Sequence, residues 1–253
     1  MSDEVFLQIK GVSKSFGGVK AVDGVSFDLA KGKSLGIIGP NGSGKTTLVN
    51  LITGFVRPDS GKIFFKDKDI TKLPPHTIAD LGITRTFQIM RPYYTLPAYK
   101  NLIVPLLSPR VKRTGGGKFG ERDSVAIDLL EEIGFERDSY VPYKLASALP
   151  LGYLKRLEVA RCIALRPEVI ICDEIFSGLS MAEIATMIPL IEKLQMEGIT
   201  IIMIEHRLRE LFRIVENVMV MNFGEKIAEG NPKEVMEKEK VKEAYLGIER
   251  RKT

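Results

Sequence analysis

The chain has 253 residues, with 37 Lys plus Arg against 32 Asp plus Glu, a formal net charge of +5 and a pI near 9.1. Apolar residues are 44% and charged residues 27%, which is typical of a soluble globular fold and excludes collagen-like, coiled-coil and disordered classes. The positive excess permits anionic partners but is small for a dedicated nucleic-acid binder. We expect one large domain or two closely joined lobes.

Signals for secretion, membrane crossing and disulfide scaffolds are missing from the sequence. Met1 to Glu4 show no basic start followed by an apolar stretch, and the longest apolar runs fall far short of the roughly 20 residues that cross a bilayer. Cys162 and Cys172 lie in apolar stretches without metal-ligand spacing, so a reducing cytosol is the expected compartment. Any membrane role is therefore expected to depend on partner subunits.

The first predicted elements are strands. Residues 5–9 and 25–29 alternate apolar with polar side chains and are separated by glycine turns, which predicts an antiparallel start. Residues 35–38 form a short apolar run typical of a buried strand, and the pattern from Lys45 to about Thr53 predicts a helix. A glycine-rich loop joins this strand to the helix.

The second half of the chain contains two more buried strands. The runs 169–172 and 199–204 are short, apolar and rich in β-branched residues, as in a parallel sheet covered on both faces. Between them, apolar residues at helical spacing from Met181 to Leu194 predict a helix. The core is therefore predicted to be α/β, with a strand–helix–strand unit in this half.

Between about residues 89 and 164 the pattern is helical, with periodicity over 124–133 and 152–165 and no convincing strand. We interpret this region as a helical insertion. The basic, glycine-containing stretch from Arg110 to Arg122 is predicted to be a mobile surface loop, with phosphate or lipid contact as the alternative. The charged tail from Glu234 to Lys252 is predicted to form short solvated helices.

The glycine-rich loop matches the phosphate-binding pattern G-x-x-x-x-G-K-[ST]. In this pattern, backbone N–H groups surround phosphates, and the N-terminus of the following helix favours negative charge. Lys45 is predicted to reach the β- and γ-phosphates, Thr46 to bind Mg²⁺ and Thr47 to meet the α-phosphate, so ATP and Mg²⁺ are the expected ligands. The predicted cofactor-binding residues of the loop are Gly39, Pro40, Asn41, Gly42, Ser43, Gly44, Lys45, Thr46 and Thr47.

Hydrolysis also needs a carboxylate for the metal and a group that orients the attacking water, each at the end of a neighbouring strand. Asp173 and Glu174 end the strand 169–172 and are predicted to fill these two roles. Charges beside an apolar core without a function would be unfavourable, which favours the catalytic interpretation. His206 follows the strand that ends at Ile204 and is a candidate for γ-phosphate contact.

These motifs, in this order from about Leu7 to Leu246, resemble the nucleotide-binding subunits of ATP-binding cassette transporters. The resemblance implies an α/β fold class: a P-loop (RecA-like) mixed-sheet core with an N-terminal antiparallel β subdomain and an inserted α-helical subdomain. The core would comprise residues 1–88 and 165–253, and the helical lobe residues 89–164. The resemblance also implies that Phe16 stacks on adenine and that Gln88 meets the metal and the attacking water.

The family carries a Leu-Ser-Gly-Gly-Gln signature, which contacts the nucleotide held by the opposite subunit. The matching residues here are Leu149, Pro150, Leu151, Gly152 and Tyr153. Only Leu149 and Gly152 agree, and Pro150 suits a first helical turn but lacks the serine hydroxyl. Ile175 and Ser180 also depart from the family pattern. The site facing this signature is expected to be weaker, so we expect a heterodimer with a second cassette whose signature is intact.

Segments 82–88, 156–161, 205–208 and 241–247 are similar to those of the branched-chain amino acid importer branch, which includes urea and amide importers. That resemblance implies two transmembrane permease subunits, an external substrate-binding protein and a peripheral location at the cytoplasmic face of the cell membrane. Residues 91–94 are the candidate contact with the permease. The solute is set by the other subunits, and no nucleic-acid partner is expected.

Three alternatives remain open from the sequence. A soluble cassette ATPase that drives assembly on a protein scaffold, as in iron–sulphur cluster biogenesis, would have a similar length. A nucleotide-binding regulator without turnover is suggested by Pro150, Ile175 and Ser180 and opposed by the intact Glu174 and His206. Export instead of import is the third. Nucleic-acid work is disfavoured, because no heptads or second cassette are present.

Overall fold

The computed structural model describes residues 5–114 and 122–246. Its packing divides the chain into two compact units, the first spanning Met1–Pro75 and Gln195–Thr253, the second His76–Leu194. This division follows packing alone. The predicted separation into a nucleotide-binding core and a helical lobe rests on function and stays a prediction.

The secondary structure alternates strands with helices after an all-strand start. The strands are β1 Val5–Phe16, β2 Val19–Ala30, β3 Ser34–Ile38, β4 Ser60–Phe65, β5 Lys68–Asp69, β6 Ile83–Arg85, β7 Val169–Asp173, β8 Thr200–Ile204, β9 Asn217–Asn222 and β10 Glu225–Gly230. The α-helices are α1 Lys45–Ile52, α2 Pro75–Leu81, α3 Ile103–Leu106, α4 Pro109–Arg113, α5 Arg122–Glu132, α6 Leu151–Ile163, α7 Met181–Met196, α8 Leu208–Ile214, α9 Pro232–Glu237 and α10 Glu239–Leu246. Short 3₁₀ helices occupy Tyr99–Leu102, Val141–Tyr143 and Ala146–Ala148.

The first unit contains the antiparallel sheet that the alternating pattern predicts. β1 pairs with β2 and with β4, and β5 pairs with β4, all antiparallel. In the same unit β3 pairs in parallel with both β8 and β9, and β10 returns antiparallel beside β9. Every residue of β3 and β8 is buried, as expected for parallel strands covered on both faces.

The second unit contains the parallel pair β6 and β7, in which Ile83 lies opposite Val169. Its helices α5 and α6 cover the two stretches of predicted helical periodicity, and α5 packs against α6. The helix predicted between Met181 and Leu194 is α7. These sequence predictions are therefore confirmed within two or three residues at their ends.

The basic stretch from Arg110 to Arg122 differs from its prediction as a mobile loop. Residues 110–113 belong to α4, which begins at Pro109 with the Ser108 hydroxyl accepting a helix-capping N–H, and α5 begins at Arg122. Arg110 is only 8% exposed. Tertiary contacts explain the difference, because the Arg110 guanidinium donates to the carbonyl oxygens of Leu81 and Arg166 and pairs with the Glu168 carboxylate. Residues 115–121 lie outside the described part of the chain.

The predicted tail helices are α9 and α10, and residues 247–253 lie outside the described residues. The apolar side of α10 is anchored by Val241, which is fully buried. Within residues 5–114 and 122–246, every helix is too short or too polar to span a bilayer.

Candidate functional site

The phosphate-loop sequence of the first unit lies between β3 and α1, and two of its glycines are required by backbone geometry. Gly39 has φ +147°, and a Cβ there would lie 2.1 Å from the carbonyl oxygen of Met221. Gly44 has φ +102°, and its Cβ would lie 2.1 Å from the carbonyl oxygen of Ala21. Residues with side chains rarely adopt these φ values. Both carbonyls belong to the backbone, so they cannot move aside as a flexible side chain could. The loop is therefore fixed by its surrounding backbone.

The loop ends at the N-terminus of α1. Gly44 is the N-cap residue, and since glycine has no side chain the N–H groups of the first turn are not capped by it. Lys45, Thr46 and Thr47 form that first turn, which contains no acidic residue. The N–H groups of a first helical turn and the helix dipole both favour an anion at such a place. The segment is suited to phosphate groups.

Lys45 is buried, and its ammonium group lies inside the bend of the loop. Its Nζ donates to the carbonyl oxygens of Gly39 at 2.8 Å and Pro40 at 2.9 Å, and lies 3.4 Å from the Ser43 hydroxyl. Burial of an ammonium group is unfavourable without such acceptors. The loop carbonyls thus hold a positive charge at the start of α1, and a lysine at this place in a phosphate loop reaches the β- and γ-phosphates.

His206 leaves the same sheet edge as the phosphate loop. In the parallel pairing of β3 with β8, Ile37 lies opposite Ile204, so the residues after each strand emerge at the same carboxyl edge. Glu205 is buried and His206 is exposed. The predicted position of His206 relative to the loop is therefore present within the first unit.

Phe16 ends β1 with half of its surface exposed (50%), and the Lys14 ammonium lies 5.5 Å from its ring centroid. An exposed aromatic ring at a strand end is not explained by core packing. It is available for stacking, as the resemblance implies.

Tyr245 is a further residue at the loop, with no role predicted from its place in the sequence. It lies near the end of α10, where burial raises its pKa to about 12 and a hydrogen bond with the backbone of Gly39 acts in the opposite direction. The C-terminal helix therefore touches the first glycine of the phosphate loop. In the sequence, Tyr245 is marked only by its place in the segment 241–247, which is similar to the branched-chain amino acid importer branch.

In the second unit, Asp173 ends β7 with a side chain that is only 1% exposed. Its Oδ2 accepts from Arg85 Nη2 at 2.7 Å, and its backbone N–H donates to the Thr86 hydroxyl at 3.0 Å. Burial raises the pKa of the Asp173 carboxyl, and the Arg85 guanidinium opposes this effect.

Among the described residues, Asp173 Oδ1 is buried without a hydrogen-bond partner. Buried carboxylate oxygens normally have partners, and Mg²⁺ prefers such oxygens. The residue therefore fits a metal ligand.

Glu174 and Gln88 are brought together in this unit. Gln88 Nε2 donates to Glu174 Oε2 at 2.8 Å. Because β6 and β7 are parallel neighbours, the residues that follow them emerge at one edge, and this places Gln88 beside the acidic pair. Glu174 has φ +51°, uncommon for a residue with a side chain. The sequence pattern predicted Asp173 and Glu174, and the family resemblance implied Gln88; their roles toward a metal and a water stay predictions.

The signature segment begins α6. Pro150 occupies the N-cap position, Leu149 and Gly152 are buried, and Leu151 is partly exposed. Tyr153 packs edge-on against Phe135, with ring centroids 4.9 Å apart. The segment thus has the helical start that the sequence predicts, without a hydroxyl at position 150.

Ser180 departs from the family pattern, and it begins α7 with a capping box. Its N–H and hydroxyl donate to Glu183 Oε2 at 2.8 and 2.7 Å, while the Glu183 N–H donates to the Ser180 hydroxyl at 3.3 Å. The backbone and side-chain hydrogen bonds from Ser180 lower the pKa of Glu183. A Cβ on Gly152 would lie 2.5 Å from Glu183 Oε1, so the signature glycine lies directly against this cap.

The geometry of the first unit defines a P-loop nucleotide-binding protein, and the comparisons specify the family. The model of the ABC transporter family matches residues 22–177. A probable branched-chain amino acid transport ATP-binding protein LivG of Archaeoglobus fulgidus is 35% identical over 246 residues, covering 96% of each chain. The high-affinity branched-chain amino acid transport ATP-binding protein BraF of Pseudomonas aeruginosa is 34% identical over 251 residues, covering 95% of this chain and 97% of BraF. The chain belongs to the ABC transporter family.

Solved structures agree with this assignment. A nucleotide-free ATP-binding cassette of an ABC transporter has a TM-score of 0.85 at 33% identity, covering 95% of this chain and 98% of that one. A cassette in its ADP conformation has a TM-score of 0.83 at 35% identity, covering 96% and 99%. The predicted fold class and family are confirmed. The chain is the ATP-binding, ATPase subunit of an ABC transporter.

Proposed function

We propose that the chain couples hydrolysis of Mg²⁺-bound ATP to import of branched-chain amino acids or a related small polar solute. The observation that carries the hydrolytic part is the Gln88–Glu174 hydrogen bond beside the buried Asp173. The import part rests on the relatives that are named as branched-chain amino acid transport ATP-binding proteins and covered almost end to end.

The first unit binds the nucleotide in this proposal. Phe16 stacks on adenine, and the backbone N–H groups of residues 39–47 other than Pro40, which has none, surround the phosphates. Lys45 approaches the β- and γ-phosphates from within the loop, so its charge offsets the charge that develops during phosphoryl transfer. His206 contacts the γ-phosphate from the same sheet edge.

The second unit supplies the acids. Asp173, with Thr46 and Gln88, would hold Mg²⁺, which when bound neutralises charge on the phosphates. Glu174 orients or deprotonates the attacking water, a contribution of about 10² to 10⁴ in rate. Gln88 donates to the Glu174 carboxylate and so fixes the orientation of the group that meets the water.

The chain acts as one cassette of a heterodimer. Residues 149–153 face the nucleotide held by a second ABC ATPase subunit, whose own intact signature completes the site of this chain. Pro150 has no hydroxyl to donate to a γ-phosphate, so the site that faces this signature is the weaker one. ATP closes the pair and hydrolysis reopens it.

Two transmembrane permease subunits receive this motion, and a substrate-binding protein delivers the solute, which places the chain at the cytoplasmic face of the membrane. The candidate contact is the segment 91–94. Tyr93 and Tyr94 are each more than 40% exposed, while the Tyr93 N–H donates to Asn101 Oδ1 at 2.6 Å. Exposed rings on an anchored backbone suit a docking surface.

The deciding experiment compares Glu174→Gln with the parent chain, each purified with its partner cassette. We expect the variant to bind a fluorescent ATP analogue with parent affinity and to lose phosphate release. Turnover at the parent rate would show that Glu174 has another role. Zero turnover by the parent in a transport-competent complex would favour the non-hydrolysing regulator.

The transport role is tested by purifying the tagged chain from mild-detergent extracts of its native membranes. We expect two polytopic membrane proteins and a second cassette in the purified complex. Soluble scaffold proteins alone would favour the assembly ATPase, and a complex that moves solute outward would favour export.

A further inference from the structure

Lys155 is a buried cation on the signature helix that none of the motifs explains. It lies on α6, two residues after the signature segment, and is only 4% exposed. Its Nζ donates to the backbone carbonyl oxygen of Glu174 at 2.9 Å. A buried ammonium group is unfavourable unless it is paired or hydrogen-bonded, so its position reflects the groups that it meets.

Those groups belong to the acidic pair. Lys155 Nζ meets the carbonyl of Glu174, which directly follows Asp173, and Arg85 Nη2 donates to Asp173 Oδ2 at 2.7 Å. Lys155 and Arg85 therefore approach the end of β7 from different elements, α6 and β6. Two cations therefore hold the acidic pair, Arg85 through the Asp173 carboxylate and Lys155 through the Glu174 backbone.

The backbone of Glu174 needs external support. Its φ of +51° is a left-handed conformation, which is strained for a residue with a side chain and persists where surrounding contacts enforce it. The Glu174 carbonyl accepts from the Ser177 N–H at 3.2 Å as well as from Lys155, while Gln88 holds the carboxylate at 2.8 Å. The direction of the Glu174 carboxylate thus depends on the backbone of Glu174, whose carbonyl accepts a hydrogen bond from Lys155.

We propose that Lys155 is a positioning residue for hydrolysis, which fixes the backbone of Glu174 from the signature helix. This inference rests on the proposed role of Glu174. Misplacing a catalytic group by about 1 Å can reduce the rate about 10²-fold, while nucleotide binding depends on the phosphate loop of the other unit. Loss of Lys155 is therefore expected to lower kcat and to leave the KM for ATP unchanged.

The test compares Lys155→Met with Lys155→Arg in the complex purified with the partner cassette. Methionine keeps the apolar volume and removes the donor, so we expect kcat to fall about 10- to 100-fold with KM for ATP within about 2-fold of the parent. Arginine retains a long cationic donor, and we expect it to restore kcat to within about 3-fold. Affinity for a fluorescent ATP analogue should match the parent in both variants.

Arg110→Met is the matched control. Arg110 is also a buried cation of the second unit, and it donates to the carbonyl oxygens of Leu81 at 2.9 Å and Arg166 at 2.8 Å. Those carbonyls precede β6 and β7, whereas Gln88 and Glu174 follow these strands. We expect a lower melting temperature without a fall in kcat per folded molecule.

The outcomes separate the two proposals. Absence of turnover in the parent complex, or full turnover by Glu174→Gln, would overturn both the role of Glu174 and that of Lys155. With the parent active and Glu174→Gln inactive, a Lys155→Met variant that loses only melting temperature would overturn the role of Lys155 alone. If Lys155→Met does not fold, kcat is measured for Lys155→Gln instead. Its amide nitrogen lies one bond closer to Cα than the lysine ammonium, so we expect it not to hold the Glu174 carbonyl. A kcat equal to that of the parent in Lys155→Gln would overturn the proposal.

Discussion

The phosphate loop of the first unit and the signature segment of the second both begin a helix and both depend on glycine, but for different physical reasons. At Gly39 and Gly44 an added Cβ would meet backbone carbonyl oxygens at 2.1 Å, with φ in the left-handed half of conformational space. At Gly152 it would meet the end of the Glu183 side chain at 2.5 Å. The first kind of contact cannot relax without moving strands, whereas the second relaxes when one side chain rotates.

This difference accounts for the pattern of agreement with the family. The phosphate loop matches its motif at every fixed position, while the signature retains Leu149 and Gly152 only. Position 150 accepts proline without loss of fold, because the N-cap there has φ −58°, within the range that the proline ring fixes. A loop whose glycines are enclosed by backbone atoms therefore tolerates few changes of sequence. A helix start that is bounded by side chains tolerates more.

Gly44→Ala should give the largest effect. The new Cβ overlaps the Ala21 carbonyl and is strained at φ +102°, so we expect unfolding free energy to fall by about 3 kcal/mol or more and ATP-analogue affinity to fall at least about 10²-fold. Urea unfolding and fluorescence titration measure both. Gly198→Ala, at φ +84° with no atom of the described residues within 4 Å, is the control and should lose only about 1 kcal/mol. Equal losses in the two variants would contradict the backbone-contact argument.

Lys45→Ala should follow. The variant loses a buried cation among the loop carbonyls, and we expect affinity for the ATP analogue to fall about 10- to 100-fold, as for loss of a charged hydrogen bond. Lys33→Ala is the control in the same unit, because Lys33 forms an exposed ion pair with Glu216, and such pairs contribute little. Unchanged affinity for the ATP analogue in Lys45→Ala would show that Lys45 does not contact the phosphates.

Gly152→Ala should have a smaller effect on stability. Alanine favours helix by about 1 kcal/mol over glycine, which offsets displacement of the Glu183 carboxylate from Gly152, and we expect unfolding free energy within about 1 kcal/mol of the parent. Chemical denaturation measures it. A loss as large as that of Gly44→Ala would mean that the signature glycine is as rigidly enclosed as those of the phosphate loop, and the comparison would fail.

Pro150→Ser should have the smallest effect on stability. A serine N-cap contributes about 1 kcal/mol, and loss of proline rigidity removes about 0.4–1 kcal/mol, so the two nearly cancel. The measurement uses a Glu174→Gln background, in which this chain's own site does not hydrolyse ATP and the phosphate comes from the partner's site. Phosphate release should then rise about 2- to 10-fold, as expected for one added hydrogen bond to the partner's nucleotide. An unchanged rate would indicate that the missing hydroxyl is not what weakens that site.

The local sequence pattern by itself determined the phosphate loop, the main strands and helices, and the acidic pair. The glycine spacing specified the loop between β3 and α1, because glycine alone tolerates the φ values at Gly39 and Gly44. Apolar runs and periodicity predicted the main strands and helices. The acidic pair at the end of β7 was also visible, since charged residues directly after a buried strand have few structural explanations.

Tertiary structure alone decided the contacts between residues distant in the chain. Arg110 is 56 residues from the Arg166 carbonyl that it meets, and a basic, glycine-rich stretch therefore looked like a loop. Lys155 reaches the Glu174 carbonyl 19 residues away, and Tyr245 reaches Gly39 from α10. Hydrogen bonds to backbone carbonyls leave no mark in the sequence, because every residue carries the same acceptor and only the fold determines which one a side chain meets.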